Sequence, residues 1–213
     1  MSEPFPFAVM VSGSGTNLQA LIDRVHLDAS VPARCVLVVA SKDDAPALDR
    51  ARATGVPTAV VALADHDGDR TRRDLALVDV LTASGAELVV MAGWMSIVTG
   101  AFLDRFPDRV INLHPSLLPA FPGMHAIDEA LEWGVRVTGV TVHFAEEQVD
   151  GGPPVLQEAV PVLYGDTSEA LRERIRAVEH RLLVEAVTLF AHGGVRRDPS
   201  RRRQVEIVRG DAT

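Results

Sequence analysis

Cysteine is almost missing from this chain: Cys35 is the only one in 213 residues. An internal disulfide framework is therefore excluded, and a thiolate-ligated metal site lacks the sulfur it needs. Such sparing use fits a reducing cytoplasm, and no metal is expected. Positive charge is scarce too, with 21 Lys and Arg against 29 Asp and Glu, a net charge of -8. That balance argues against a broad electrostatic footprint for nucleic acid but leaves room for a local anion pocket. Long apolar runs are also absent. Met1 to Phe7 has neither the basic region nor the apolar core of a signal peptide, and no later stretch is apolar enough to span a bilayer. The expectation is a cytoplasmic protein with small-molecule partners, touching neither membrane nor nucleic acid. The oligomeric state stays open, a homodimer included.

What the chain does hold is a 47% hydrophobic share, ample for the core of a single domain. Short runs rich in Val, Ile, Leu and Met at Phe7 to Val11, Cys35 to Ala40, Thr58 to Val61, Leu88 to Met91 and Val110 to Leu113 predict buried strands. Leu18 to Val25, Ala45 to Thr54, Thr71 to Leu81 and Ile97 to Phe106 carry apolar residues at helical spacing between them. This alternation predicts an α/β fold: a doubly wound, mostly parallel sheet with helices on both faces and ligands at the carboxyl ends of the strands. After Gly139 the pattern changes. Val140 to Phe144 and Val155 to Val160 flank a Gly and Pro rich loop, and a long helix begins near Thr167. Antiparallel additions to the sheet follow from that order. The expected domain covers 1–192, with a phosphate-binding half at 1–100 and a catalytic half at 101–192. Residues 193–213 form a tail whose Arg196, Arg197, Arg201, Arg202 and Arg203 read as a solvated charge run, with a basic contact patch as the alternative.

Ser12-Gly13-Ser14-Gly15-Thr16-Asn17 follows the first strand and leads into a helix. Glycines let backbone approach an anion, Thr16 and Asn17 are suited to capping the helix, and the free N–H groups there favour phosphate. The same segment would also serve as a plain strand-to-helix turn. It lacks the Lys of a Walker loop and the third glycine of a dinucleotide fingerprint.

In Ile111-Asn112-Leu113-His114-Pro115, side chains alternate along the strand, so Asn112 and His114 share a face and Pro115 ends the strand where ligands gather. An amide and an imidazole so placed suit acyl-type transfer, in which negative charge develops on a carbonyl oxygen. A turn-capping Asn and a core His are the structural alternatives. Asp150, in Val149-Asp150-Gly151-Gly152-Pro153, would favour the imidazolium and raise its pKa if its loop folds back beside His114. Read alone, that segment is an ordinary turn.

Together, six segments resemble the glycinamide ribonucleotide formyltransferase family, folate-dependent enzymes of the third step of de novo purine synthesis. They are the opening Ser12 to Asn17, Met91-Ala92-Gly93-Trp94-Met95, Asn112 to Pro119, Thr141-Val142-His143-Phe144, Asp150 to Pro153, and Glu179-His180. The resemblance runs from about Phe7 to Ala191 and implies a formyltransferase-type, Rossmann-like fold. It implies that Gly15, Thr16, Asn17 and Glu179 bind phosphoribosylglycinamide. Arg70, Met95, Ser96, Ile97, Val98 and the loop Glu146, Glu147, Gln148, Val149 and Asp150 would line the pocket for 10-formyltetrahydrofolate, the cosubstrate. Asn112 would contact the formyl group, His114 would be the general acid and Asp150 its tuner. Gly93, His125 and His143 are supporting candidates.

Many family members carry Arg where Ser96 stands and Phe where Trp94 stands, and Pro154 after Pro153 is less usual. These departures touch the folate pocket rather than the reacting trio. Methionyl-tRNA formyltransferase and formyltetrahydrofolate deformylase resemble the same trio, but each is expected to carry a further domain for which this chain has no room. A non-catalytic nucleotide or folate binding module would not need the proton-transfer pair.

Overall fold

The structure is a computed structural model, and it describes residues 3–198 and 200–208. Seven strands form one sheet: β1 (Phe5–Val11), β2 (Ala33–Ala40), β3 (Thr58–Val60), β4 (Leu88–Met91), β5 (Val110–His114), β6 (Val137–Phe144) and β7 (Pro154–Pro161). Their spatial order is β3-β2-β1-β4-β5-β6-β7, parallel through β5 and antiparallel at β5/β6 and β6/β7. The order reverses direction at β1, which places the carboxyl ends of β1 and β4 at the topological switch point where ligands of such folds collect.

Alternation along β1 splits the core in two. Phe7, Val9 and Val11 pack with α1 (Thr16–Leu21), α2 (Ala47–Ala53), α5 (Ala126–Glu132) and α6 (Ser168–Ala191). Ala8 and Met10 face the other side, with α3 (Arg70–Ala83) and α4 (Gly100–Leu103). Because both faces are covered, the parallel strands are apolar at nearly every position, which is why they are legible as runs. Asp69 caps α3 by accepting from the Thr71 and Arg72 N–H groups, and Thr167 caps α6 by accepting from the Ala170 N–H.

Three expectations are corrected. The helix expected over Ile97 to Phe106 shrinks to Gly100–Leu103. Asp74 captures the Thr99 N–H at 2.6 Å and segment 94–99 is held as a loop, while Pro107 disfavours helix at Phe106. Thr16 and Asn17 do not cap α1, since the cap residue is Gly15 at φ 71 with no side-chain bond. A Cβ at Gly15 would lie 2.6 Å from the Ala47 Cβ, so packing as well as φ requires glycine there. Finally, the tail is not simply solvated. β8 (Val195–Arg197) and β9 (Val205–Ile207) form an antiparallel hairpin. Its Arg197 pairs with Asp108 at 2.6 Å and Glu146 at 3.0 Å, with its guanidinium 5.5 Å from the Phe144 ring centroid. Pro199 and the last five residues of the tail, 209–213, lie outside the described residues. Among the described residues, no helix is long and apolar enough to cross a membrane.

Candidate active site

β5 delivers Asn112 and His114 to one face, as period-two alternation dictates, opposite His143 and Thr141 of β6. The β6/β7 loop then brings Asp150 to both. Its Oδ2 lies 3.3 Å from His114 Nδ1 and its Oδ1 accepts from Asn112 Nδ2 at 3.4 Å. The backbone N–H of Gly123 donates to Oδ2 at 2.7 Å, tying in the loop that follows β5. His114 is 4% exposed, so water competes little for these contacts.

Each His114 nitrogen faces an acceptor: Nδ1 the Asp150 carboxylate, Nε2 the Phe121 carbonyl at 2.7 Å. Both partners are acceptors when Asp150 is ionised, so each ring nitrogen is set against a group that can accept a hydrogen bond and not give one. His143 is set differently. Its Nδ1 donates to the Phe144 carbonyl at 2.8 Å, and its Nε2 lies 3.2 Å from Asn112 Nδ2 and 3.6 Å from Asp150 Oδ1. The Asn112 N–H groups thus face the Asp150 side.

Burial of Asp150 works against its charge, but the His143 bond, the Gly123 N–H and the charges of His114 and His143 outweigh it and hold the carboxyl below its ordinary value. Asp150 (φ 52) and Phe121 (φ 51) are both non-glycine residues in the left-handed region, and both touch His114. Backbone of this kind persists where surrounding contacts over-determine it. The Thr141 hydroxyl supplies some of them, accepting from the Leu118 N–H at 3.1 Å and donating to the Ser116 carbonyl at 2.7 Å.

The phosphate-loop candidates gather a second group. Asn17 Nδ2 donates to Glu179 on α6 at 3.4 Å, and Asn17 Oδ1 is buried without a protein partner. Burial raises the Glu179 pKa in spite of Asn17, Arg176 and Arg172. Ser12 joins this loop to the one after β4, donating its N–H to the Gly93 carbonyl and accepting the Met95 N–H at 3.0 Å. Gly93 takes φ 78 with open space where a Cβ would stand.

The folate-pocket candidates divide. Met95 and Ile97 are exposed apolar side chains at 69% and 49%, Ser96 is half-buried, and Val98 turns into the core. Glu146, Glu147 and Gln148 line a cavity of about 720 Å³ together with Val110, Phe144 and Arg197. Val149 is exposed beside it. Arg70 stands exposed at the first position of α3, and His125 is exposed before α5, so neither joins the contacting group. Sequence reasoning missed Thr141 and Arg73. Thr141 shares its face of β6 with His143, a signal in the alternation, whereas Arg73 hides among the charges that open α3. Among the described residues no cluster of three or more His, Cys, Asp or Glu is arranged to hold a metal ion.

Residues 6–187 match the formyl transferase family. The chain is 44% identical to the phosphoribosylglycinamide formyltransferase of Mycobacterium tuberculosis (strain ATCC 25618 / H37Rv), covering 91% of this chain and 88% of that protein. It is 46% identical to the trifunctional purine biosynthetic protein adenosine-3 of Gallus gallus, covering 88% of this chain but only 18% of that one. The chain thus spans less than a fifth of the trifunctional relatives it matches. The crystal structure of glycinamide ribonucleotide transformylase 1 from Symbiobacterium toebii superposes with a TM-score of 0.92 at 46% identity, covering 98% of this chain and 96% of that one. The chain belongs to the formyl transferase family, and to the phosphoribosylglycinamide formyltransferases within it.

Proposed function

We propose that this protein transfers the formyl group of 10-formyltetrahydrofolate to the amine of 5-phosphoribosylglycinamide, releasing tetrahydrofolate and formylglycinamide ribonucleotide, in the cytoplasm. The observation that carries the reading is the Asp150 carboxylate bridging Asn112 and His114 at 3.4 and 3.3 Å. Oriented amide and imidazolium donors at one strand end are what a carbonyl gaining negative charge requires.

The neutral amine attacks the formyl carbon, the carbon–nitrogen bond forms and the carbonyl electron pair moves onto oxygen. Asn112 Nδ2 and His114 stabilise that oxyanion. The Asn112 contact to Asp150 is long, so a closer acceptor takes that N–H readily. His114 Nε2–H, given to the Phe121 carbonyl in the free protein, turns to the formyl oxygen while Nδ1–H stays on Asp150. Collapse of the intermediate expels the folate nitrogen, which gains a proton as the former amine loses one. Gly15, Thr16 and Asn17 hold the phosphorylated acceptor, with Glu179 at its glycinamide or ribose end. Met95 to Ile97, the Val98 backbone, Arg70 and the 146–150 loop surround the folate.

The test incubates purified protein with both substrates and follows tetrahydrofolate release. Release that depends on phosphoribosylglycinamide is expected; release without it, or none, rejects the reading. Glu179→Gln gives a second check. Because folding raises the Glu179 pKa, its charge opposes stability above that pKa, and the penalty fades as pH falls. The variant should therefore unfold at higher denaturant at neutral pH. Its KM for phosphoribosylglycinamide should rise about 10- to 100-fold, the worth of a charge-assisted bond. An unchanged KM removes Glu179 from the acceptor site.

A further inference from the structure

Arg73 and Asp74 are 1% and 0% exposed, a charged pair set into the core face of α3. Burial of such a pair gives little net stability, and well-packed apolar replacements are often neutral or better. The destination of its hydrogen bonds is informative. Arg73 Nε donates to Asp74 Oδ1 at 2.6 Å, Arg73 Nη2 donates to the Ile97 carbonyl at 2.7 Å, and Asp74 Oδ2 accepts the Thr99 N–H at 2.6 Å. The guanidinium also lies 5.5 Å from the Trp94 ring centroid. Every one of these contacts outside the pair ends on segment 94–99.

We propose that Arg73 and Asp74 are positioning residues that clamp segment 94–99 so that Met95 and Ile97 stand ready as an apolar wall for the folate. The inference rests on the formyl-transfer reading of this site. Trp94 and Val98 are anchored in the core while Met95 and Ile97 point outward. That in-and-out alternation needs a fixed backbone path, and the path is not a helix or strand that could hold itself. The clamp supplies the missing bonds at its Ile97 carbonyl and Thr99 N–H. Without it, the segment would have to be ordered on each binding event, which weakens affinity for the ligand it lines without altering chemistry at Asn112 and His114.

The double variant Arg73→Met/Asp74→Asn removes both charges together and retains an acceptor for the Thr99 N–H. Its KM for 10-formyltetrahydrofolate is expected to rise about tenfold or more, with kcat and the KM for phosphoribosylglycinamide within about twofold of the parent. Hydrogen exchange of the 94–99 amides should quicken in the ligand-free protein while thermal stability holds or improves. Arg73→Lys keeps the charge but lacks the planar fork that reaches both Asp74 and Ile97. It should show the same pattern if the double variant does not fold. An unchanged folate KM, equal rises in both KM values, or unaltered exchange overturns the proposal. A parent protein without acceptor-dependent turnover overturns the formyl-transfer reading instead, and the ligand-free exchange then decides the clamp by itself.

Discussion

Asp150→Asn is expected to lower kcat by about 100- to 10,000-fold, the range set by loss of an oriented proton donor. The substitution keeps the size of the side chain but not its pattern of acceptors. In the native protein Oδ2 faces the Gly123 N–H and His114 Nδ1, while Oδ1 faces Asn112 Nδ2 and, at 3.6 Å, His143 Nε2. An amide must turn its NH2 group toward one of these sets, so donor meets donor whichever way it sits. It also removes the negative charge that stands 3.3 Å from His114 Nδ1. The KM for phosphoribosylglycinamide should barely move, since Asn17 and Glu179 form a separate contact group.

The same residue predicts a pH dependence of stability. Asp150 has its folded pKa held below the ordinary carboxylate value. Its stabilising contribution is therefore complete above the unfolded pKa and is lost as pH falls through the folded one. Denaturant unfolding of the parent should weaken through that acid window by more than that of Asp150→Asn, which cannot titrate there. Full turnover in the variant would remove Asp150 from the mechanism, whatever the stability data show.

The strands were legible in the sequence because a sheet covered on both faces writes itself as short, dense apolar runs, and β1, β2, β4 and β5 fall where those runs are. The common face of Asn112 and His114 followed from alternation alone. Neither Ala126–Glu132 nor the end hairpin was anticipated. Ala126, Ile127, Ala130 and Leu131 at helical spacing ahead of Gly134 were a readable signal for the helix. Val195 to Arg197 is too short and too charged to be told from a solvated tail; its docking rests on Asp108, Glu146 and Phe144, distant in sequence, and on Val195, Val205 and Ile207 packing against the core. The approach of Asp150 to His114 was expected from the family resemblance but left no local pattern. It depends on a left-handed φ at an aspartate and on the Gly123 amide, and neither leaves a periodic trace. The Arg73–Asp74 clamp was hidden for the opposite reason: in Arg70-Thr71-Arg72-Arg73-Asp74 the buried pair has the same composition as the solvated turn around it.

Asn112→Leu tests the oxyanion donor itself and should cost about 100- to 1000-fold in kcat, or about 3 to 4 kcal/mol of transition-state stabilisation. Leucine fills nearly the same volume, so the β5/β6 pairing of residue 112 with His143 should survive and folding should be close to normal. The parent amide is not a free donor. Its Nδ2 is shared between His143 Nε2 at 3.2 Å and Asp150 Oδ1 at 3.4 Å, so His143 and Asp150 fix the direction in which it can give its proton. If the three groups act as one unit, combining Asn112→Leu with Asp150→Asn should lose much less than the product of the single losses. Multiplicative losses would mean that Asp150 acts without Asn112, and its role would then be confined to His114. A single Asn112→Leu variant retaining more than about a tenth of parental kcat, well outside the range for such a donor, would show that the formyl oxygen is held elsewhere.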